Sequence, residues 1–346
     1  MSTSCSVRRG DPGGAFLATA RGEPASRRPV WIMRQAGRHL PEYRALRERH
    51  AFLELCETPE LAATATLQPL ERYDLDAAIL FTDLLVPVVP MGVGLAYEPG
   101  PVLERTIRDR AAVESLRIPD PQEELAPMLE TARLVRERLD PGKALIGFVG
   151  APFTVACYLV EGRGSKSWDA TRRLMYASPE TFDALLERIA AALEPLARAL
   201  VGAGCDAVQV FDSWASVLDA DDYRTRCAPF TQRLVSAVQR EGGVAIDYVN
   251  GAAQHLETLG ASRADIVAFD WRVPMHLARR RLPEHRVVQG NLDPTLLFAP
   301  RDALRRRVRE LCAAATDAHV VNLGHGILPD TDPAAVEALV GEVHRG

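Results

Sequence analysis

Eight short apolar runs, separated by longer helical patterns, constrain the fold of this chain most strongly. They cover residues 30–33, 77–81, 144–149, 207–211, 244–246, 265–269, 286–289 and 320–323. An apolar run without polar alternation is typical of a parallel strand that is buried on both faces. Eight such strands alternating with helices are what a closed parallel barrel requires. The sequence therefore predicts an α/β fold, a single (β/α)8 TIM barrel with a short N-terminal extension.

A doubly wound parallel sheet is the rival architecture for this pattern. Such a sheet usually carries a glycine-rich phosphate loop after its first strand. Here that position holds RQAGR, residues 34–38, so the barrel is favoured. We expect residues 1–14 to form a flexible tail and residues 15–346 to form one barrel domain.

Composition excludes several classes of function. The 346 residues carry a net charge of -5, which argues against a general nucleic-acid or membrane-surface binder. No stretch approaches the roughly 20 apolar residues of a membrane span. The first residues, MSTSCSVRRGDPGG, lack an apolar signal core, so we expect a cytoplasmic protein. Six cysteines without a CxxC pair are more typical of reduced thiols than of a disulfide framework or zinc site.

Polar side chains follow several of the predicted strands, where the loops of a barrel carry its chemistry. The first, second, third, fourth and eighth strands are followed by Arg34 and Arg38, Asp83, Tyr158, Ser213, and His325 between two glycines. Closing the barrel would bring these side chains to one rim. Cations and hydrogen-bond donors around one carboxylate suit a substrate with several carboxylates and a cationic or N–H-bearing centre.

Each of these residues also has a purely structural interpretation. The two arginines could pair with carboxylates of their own chain. Asp83 could form an Asx turn or cap a helix. Tyr158 could be a packing aromatic whose hydroxyl is satisfied nearby. From the residues alone these alternatives stay open.

Seven stretches resemble segments of the uroporphyrinogen decarboxylase family, in the same order. The two most specific are PVWIMRQAGRHLPEYR at 29–44 and GFVGAPFTVACYLVEG at 147–162. The others are FTDLL at Phe81, FDSWA at Phe211, DWRVP at Asp270, GNLDP at Gly290 and NLGHG at Asn322. The resemblance runs from about residue 15 to the C-terminus. Segment 244–264 is less familiar, and Ser216 stands where the family usually has glycine.

The resemblance implies a barrel that acts as a homodimer, without metal or organic cofactor, on the tetrapyrrole uroporphyrinogen III. The four acetate side chains would lose carbon dioxide to give coproporphyrinogen III for haem synthesis. Residues implied to act in catalysis are Asp83, Arg34, Arg38, Tyr158 and His325. Residues implied to bind substrate are the loop Arg34, Gln35, Ala36, Gly37 and Arg38, then Ile79, Asp83, Phe148, Tyr158, Ser213 and His325.

Two other classes of protein remain as alternatives. Zinc-dependent corrinoid methyltransferases share the fold, but their metal needs soft ligands that converge at strand ends. Cys205 precedes a predicted strand and Cys312 lies in a helical pattern, so neither is placed for that role. A catalytically inactive scaffold barrel would be expected to lack the site residues, yet all of them are present.

Overall fold

The computed structural model describes residues 13–346, and within them a parallel sheet curls into a barrel. The strands of those residues are β1 (Ala77–Ile79), β2 (Leu95–Tyr97), β3 (Pro101–Leu103), β4 (Ala144–Gly150), β5 (Ala207–Asp212), β6 (Val244–Val249), β7 (Ile266–Phe269), β8 (Val287–Gln289) and β9 (His319–Val320). Seven of these described strands form one sheet in the order β1-β4-β5-β6-β7-β8-β9, and β2 pairs with β3 in an antiparallel hairpin.

Helices alternate with the strands and cover the outside of the sheet. Those of residues 13–346 are α1 (Gly14–Ala20), α2 (Pro41–Arg49), α3 (Phe52–Glu57), α4 (Pro59–Arg72), α5 (Arg110–Glu114), α6 (Pro121–Glu124), α7 (Ala126–Arg138), α8 (Pro152–Glu161), α9 (Asp169–Ala177), α10 (Pro179–Gly202), α11 (Ala220–Asp222), α12 (Ala228–Arg240), α13 (Leu256–Ala261), α14 (Met275–Arg281), α15 (Arg301–Ala315) and α16 (Pro333–Val343). Within the same residues, no helix combines the length and apolarity needed to cross a bilayer.

The segment 29–33 closes the barrel between β9 and β1. Val30 forms a parallel bridge with Val321, and its carbonyl accepts the amide of Asp76 at 2.9 Å. The predicted strand 30–33 is therefore reduced to a single bridging residue. Beyond it, side chains replace the strand partners, because the amide of Met33 donates to Asn322 Oδ1 at 2.8 Å. The predicted barrel is confirmed. In the described residues its wall consists of seven regular strands and the irregular segment 29–33.

Several predicted strand boundaries need correction. The strand predicted at 77–81 ends at Ile79, because the amide of Phe81 donates to Thr66 Oγ1 at 2.9 Å. The strand predicted at 244–246 continues to Val249. The β2–β3 hairpin was not predicted. Residues 1–12 of the predicted tail lie outside the described residues, while Gly14 of that tail begins α1.

Alternation along the strands separates two apolar layers. In β5, Ala207 and Phe211 join the cluster inside the barrel, while Val208 and Val210 join the cluster beneath the helices. Phe16 of α1 belongs to the inner cluster and covers the end of the barrel where the strands begin. The opposite end, where the strands finish, is left to the loops.

Candidate active site

Hydrogen bonds of Gln35 and the turn at Gly37 fix the conformation of the loop after segment 29–33. Gln35 is buried, accepting the amide of Ile32 at 3.0 Å and donating to the carbonyl of Ala77 at 3.1 Å. Arg34 has a left-handed backbone with φ of 63°. A Cβ atom on Gly37 would lie 2.8 Å from the Arg34 carbonyl oxygen, so the turn requires glycine there. The Gln35 side chain thus shapes the loop, while Ala36 and Gly37 are half-buried.

The loop after β9 is packed against the same turn. Its amide at Ile327 donates to the carbonyl of Met33 at 2.9 Å. A Cβ atom on Gly326 would lie 2.3 Å from Arg34 Cδ, so the Arg34 side chain crosses directly over this glycine. Arg34 and His325 are consequently neighbours, although they are far apart in the sequence.

The guanidinium groups of Arg34 and Arg38 are exposed. Among residues 13–346, neither makes a hydrogen bond or ion pair with its side chain. The alternative that both pair with carboxylates of their own chain is not found in this described part. Burial raises the pKa of Tyr43 on α2 to about 12, and the positive charge of Arg38 acts in the opposite direction. Arg34 therefore faces the mouth of the barrel and Arg38 lies further out on the same loop.

Asp83 follows β1 and is half-buried at the mouth of the barrel. Its Oδ1 accepts the amide of Leu85 at 2.9 Å, so the Asx turn considered as an alternative is present. The charge of the carboxylate also affects the pKa values of two tyrosine hydroxyl groups. Burial first, and the charge of Asp83 second, raise the pKa of Tyr158 to about 12 and that of Tyr97 above its usual value.

Tyr158 lies on α8, the helix that follows β4. Its ring packs edge-on against Trp168 at 5.0 Å and Trp214 at 6.1 Å, so the ring does have a packing role. Burial and Asp83 raise the pKa of its hydroxyl, while the charge of Arg34 acts in the opposite direction. The charges of Asp83 and Arg34 thus have opposite effects on the pKa of the Tyr158 hydroxyl.

His325 is half-buried between Gly324 and Gly326. Burial, followed by the positive charges of Arg34 and Arg272, lowers the pKa of its imidazole to about 4. The ring is therefore neutral at pH 7. At that pH it can donate one hydrogen bond and accept another, but it adds no charge to the site.

Ser213 is positioned by a buried hydroxyl. Its amide donates to Thr154 Oγ1 at 2.9 Å, and that hydroxyl donates to Asp212 Oδ1 at 2.9 Å. Burial raises the pKa of Asp212 to about 7. The carbonyl of Ser213 accepts Asn250 Nδ2 at 3.0 Å, which joins the loops after β5 and β6.

Aromatic side chains form the inner surface beneath these polar groups. Phe148 meets Phe211 edge-on at 5.5 Å, and Phe211 contacts Tyr248 at 5.3 Å. Ile79 lies in the same inner cluster and is 6% exposed, while Phe148 is half-buried. The mouth therefore has an apolar floor and a polar rim.

Sequence reasoning missed three residues around the mouth. Tyr97 comes from the unpredicted hairpin, whose short strands carry no distinctive pattern. Asn250 lies in the unfamiliar segment 244–264. Arg272 stands within DWRVP, where its neighbour Asp270 is the more conspicuous charge because it directly follows the apolar run 265–269. Asn250 and Arg272 could have been indicated by the residues that follow the fifth and sixth predicted strands, 244–246 and 265–269.

The described residues contain no group of three His, Cys, Asp or Glu side chains placed to hold a metal ion. Cys205 is buried just before β5, and Cys312 lies in α15. Neither thiol reaches the rim formed by the loops after the strands. The donor set at the mouth consists of guanidinium, carboxylate, hydroxyl and imidazole groups.

Comparison with known proteins gives consistent results. The family model described as uroporphyrinogen decarboxylase (URO-D) matches residues 12–346. Uroporphyrinogen decarboxylase of Geobacter sulfurreducens is 45% identical over 332 residues, covering 95% of this chain and 98% of that protein. The enzyme of the same name from Syntrophotalea carbinolica is 46% identical, covering 95% and 97%. Among solved structures, a methyltransferase from Methanosarcina mazei superposes with a TM-score of 0.82 at 23% identity, covering 96% of this chain and 97% of that one, which shows the shared fold.

Proposed function

The chain belongs to the uroporphyrinogen decarboxylase family, and from this membership we propose that it converts uroporphyrinogen III to coproporphyrinogen III. Each of the four acetate side chains would lose carbon dioxide and become a methyl group. The methyltransferase alternative has less support, because its solved relative shares only 23% of the sequence, against 45% for the decarboxylase of Geobacter sulfurreducens.

One observation at the mouth carries the proposal. Asp83 follows β1 and the Arg34 side chain crosses Gly326 in the loop after β9, so a carboxylate and a guanidinium lie at the same end of the barrel. Their opposite effects on the pKa of Tyr158 agree with this placement. A reduced tetrapyrrole offers the complement of this arrangement. Its pyrrole N–H groups converge at the centre and can donate to Asp83, while its carboxylates at the edge can accept from Arg34.

The chemistry needs a place for the electrons of the breaking C–C bond. A proton added to a pyrrole carbon makes the ring cationic and conjugated with the acetate methylene. Carbon dioxide then leaves, and the bonding electrons move into the ring, forming an exocyclic methylene. A proton added to that methylene and one lost from the ring carbon restore the pyrrole as a methyl derivative, for a net uptake of one proton.

Asp83 supplies the main electrostatic contribution in this proposal. Its carboxylate would stabilise the ring cation as it forms, in a site from which the substrate largely excludes water. This preorganised charge would do the work for which other decarboxylases use an organic electron sink.

Arg34 and Arg38 would bind acetate and propionate groups through the forked geometry of guanidinium. An arginine pKa above roughly 12 makes either residue a poor proton donor at neutral pH. Tyr158, Ser213 and neutral His325 would add hydrogen bonds to the remaining carboxylates. Gln35, Ala36 and Gly37 would shape the loop that carries both arginines.

The apolar floor completes the proposed site. Ile79 and Phe148 would lie against the flat faces of the pyrrole rings, where burial is favourable and no hydrogen bond is needed. The polar rim would then meet the substrate edge. Floor and rim together fix one orientation of the macrocycle relative to Asp83.

Anaerobic incubation of the purified protein with uroporphyrinogen III tests the proposal. The products are oxidised to porphyrins and separated by their number of carboxylates. We expect intermediates with seven, six and five carboxylates and then coproporphyrin. Unchanged substrate from a folded protein would contradict the proposal, and an Asp83→Asn sample provides the matched control.

We further propose that residues 15–346 act as a single catalytic barrel, in a cytoplasmic homodimer. This proposal extends the family resemblance to assembly and location. Sedimentation equilibrium at micromolar concentration should give twice the chain mass of 37.9 kDa. A single-chain mass together with full activity would contradict the dimer.

A further inference from the structure

A second polar network lies at the mouth, between Ser213 and His325. It consists of Asn250 after β6, and Asp270, Trp271 and Arg272 after β7. Asn250 donates to the carbonyl of Ser213 at 3.0 Å and accepts Arg272 Nη1 at 3.2 Å. Arg272 is thereby tied to a loop that the proposed function already assigns to substrate.

Asp270 fixes one edge of the Arg272 side chain. The carboxylate is fully buried, and its Oδ1 accepts the amides of Gly251 at 2.9 Å and Ala252 at 3.0 Å. Its Oδ2 accepts Arg272 Nη1 at 2.6 Å. The Arg272 amide also donates to Oδ2 at 3.4 Å. Three backbone donors and one guanidinium nitrogen therefore stabilise this buried charge, which leaves the rest of the fork uncommitted.

Trp271 supports the flat face of the same guanidinium. Arg272 Cζ lies 4.4 Å from the centre of the Trp271 ring, a favourable cation–π distance. Half of the Arg272 side chain is exposed. Among residues 13–346, its Nε and Nη2 atoms make no hydrogen bond. A guanidinium held by one nitrogen and one face presents its remaining edge to a ligand.

The presented edge belongs to the same mouth as His325. The Trp271 ring meets the His325 ring edge-on at 6.3 Å. A Cβ atom on Gly324 would lie 2.3 Å from the Trp271 amide nitrogen, so the loops after β7 and β9 are in direct contact. The charges of Arg34 and Arg272 both lower the pKa of His325, which agrees with its place between them.

We propose that Arg272 is a third arginine of the substrate site, binding one carboxylate of the macrocycle through the free edge of its guanidinium. This inference rests on the proposed function. A tetrapyrrole with acetates and propionates around its whole edge needs donors on more than one side of the mouth. Arg34 and Arg38 serve the side of segment 29–33, and Arg272 serves the side of β6 and β7.

A purely structural role is the competing explanation, in which Arg272 does no more than neutralise Asp270. The two roles differ in what they predict for lysine. An ammonium can still pair with Asp270, but it cannot hold Asp270 and a carboxylate in a planar fork. Arg272→Lys therefore separates binding from structure.

The first experiment compares Arg272→Gln with Arg280→Gln, a matched loss of charge on exposed Arg280 of α14. Binding of uroporphyrin III in the dark is measured by fluorescence, together with KM and kcat for uroporphyrinogen III. We expect Arg272→Gln to raise Kd and KM by about 10-fold, as for the loss of a charged hydrogen bond. Its kcat should stay within about twofold, because the contact is made before and during reaction. Arg280→Gln should match the wild type.

The second variant decides between the two roles, even if Arg272→Gln folds poorly. We expect Arg272→Lys to melt like the wild type, with KM and Kd raised about threefold or more. Wild-type KM and Kd in Arg272→Lys would overturn the inference, as would unchanged values in folded Arg272→Gln. Failure of the proposed function is seen separately, as absence of turnover in the wild type, while uroporphyrin binding still tests Arg272.

Discussion

The two ends of the barrel differ in how fully their charged side chains are paired. We call the end where the strands begin, covered by Phe16, the closed end, and the end where the strands finish the open end. Asp76 stands just before β1 and Asp83 stands four residues after it, so one short strand separates them. Asp76 is 3% exposed and accepts the Val30 amide at 2.8 Å and Arg27 Nε at 2.8 Å. Asp83 is half-buried and accepts one amide, that of Leu85. The closed end uses its carboxylate to join chain segments, and the open end leaves most of its carboxylate available.

Two histidines of β9 and its loop repeat this contrast. His319 at the closed end is fully buried, with Nε2 2.5 Å from the carbonyl of Gly290 and Nδ1 3.1 Å from Arg28 Nη1. Within the described residues, the ring of His325 at the open end has no hydrogen-bond partner outside its own loop. Burial lowers the pKa of both, to about 3 and about 4, so both rings are neutral at pH 7. The difference lies in their partners rather than in their charge.

Hydrogen-bond partners separate the charged groups that serve the fold from those that serve function. A buried charge must be paired, and breaking the pair is costly, so a fully paired group serves the fold. A group that the fold holds in place but leaves free serves a ligand. In parallel barrels the free groups are expected where the strands end, and here they lie there.

The largest expected effect tests the open end. Asp83→Asn should lower kcat for uroporphyrinogen III by about 100- to 1000-fold, since it removes a preorganised charge from the forming cation. The fold should persist, because an Asn oxygen can still accept the Leu85 amide. The measurement is turnover by product separation, alongside thermal unfolding. Activity near that of the wild type would contradict the assignment of Asp83 to catalysis.

The matched change at the closed end is Asp76→Asn. Its amide nitrogen would face Arg27 or the Val30 amide, so a donor would meet a donor. We expect a loss of about 3 kcal/mol in unfolding free energy, at the lower end for a buried ion pair because Arg27 is a third exposed. Urea titration should show a lower midpoint with an unchanged slope. The fraction that remains folded should keep its kcat, and a selective loss of kcat would contradict the assignment.

The open end was largely predictable from sequence because strand ends can be located by apolar runs. Asp83, Ser213 and His325 are each the second residue after such a run, and the barrel then brings them to one rim. Arg34 belongs to the same group, although its strand is reduced to the bridge at Val30. Fold and mouth thus follow from local pattern together with the geometry of a closed sheet.

The rest depends on contacts between residues that are distant in sequence. No local pattern shows that the Asn322 side chain replaces a strand partner of Met33. Likewise, Asn250 gains its role only through Ser213 on one side and Arg272 on the other. Gln35 was assigned to substrate through its motif, yet its amide is committed to the backbone at Ile32 and Ala77.

A smaller effect is expected from Arg34→Lys, which keeps the charge but removes the fork. We expect KM for uroporphyrinogen III to rise about 10-fold, since a bidentate carboxylate contact becomes a single one. Stability should not change, because within residues 13–346 the Arg34 guanidinium holds no partner. Steady-state kinetics at constant ionic strength measure the change, with Arg280→Lys as the control. A fall in melting temperature would place Arg34 with the paired groups of the closed end.

The smallest effect is expected from Tyr158→Phe, which removes one hydroxyl from the open end. With a pKa of about 12 this hydroxyl stays protonated at pH 7 to 9 and acts as a donor. Losing one neutral hydrogen bond should lower kcat/KM by about three- to tenfold. The ring should remain packed against Trp168 and Trp214, so melting should be unchanged. Tyr176→Phe, at an exposed tyrosine on α9, is the control; equal effects in the two variants would mean that Tyr158 serves packing alone.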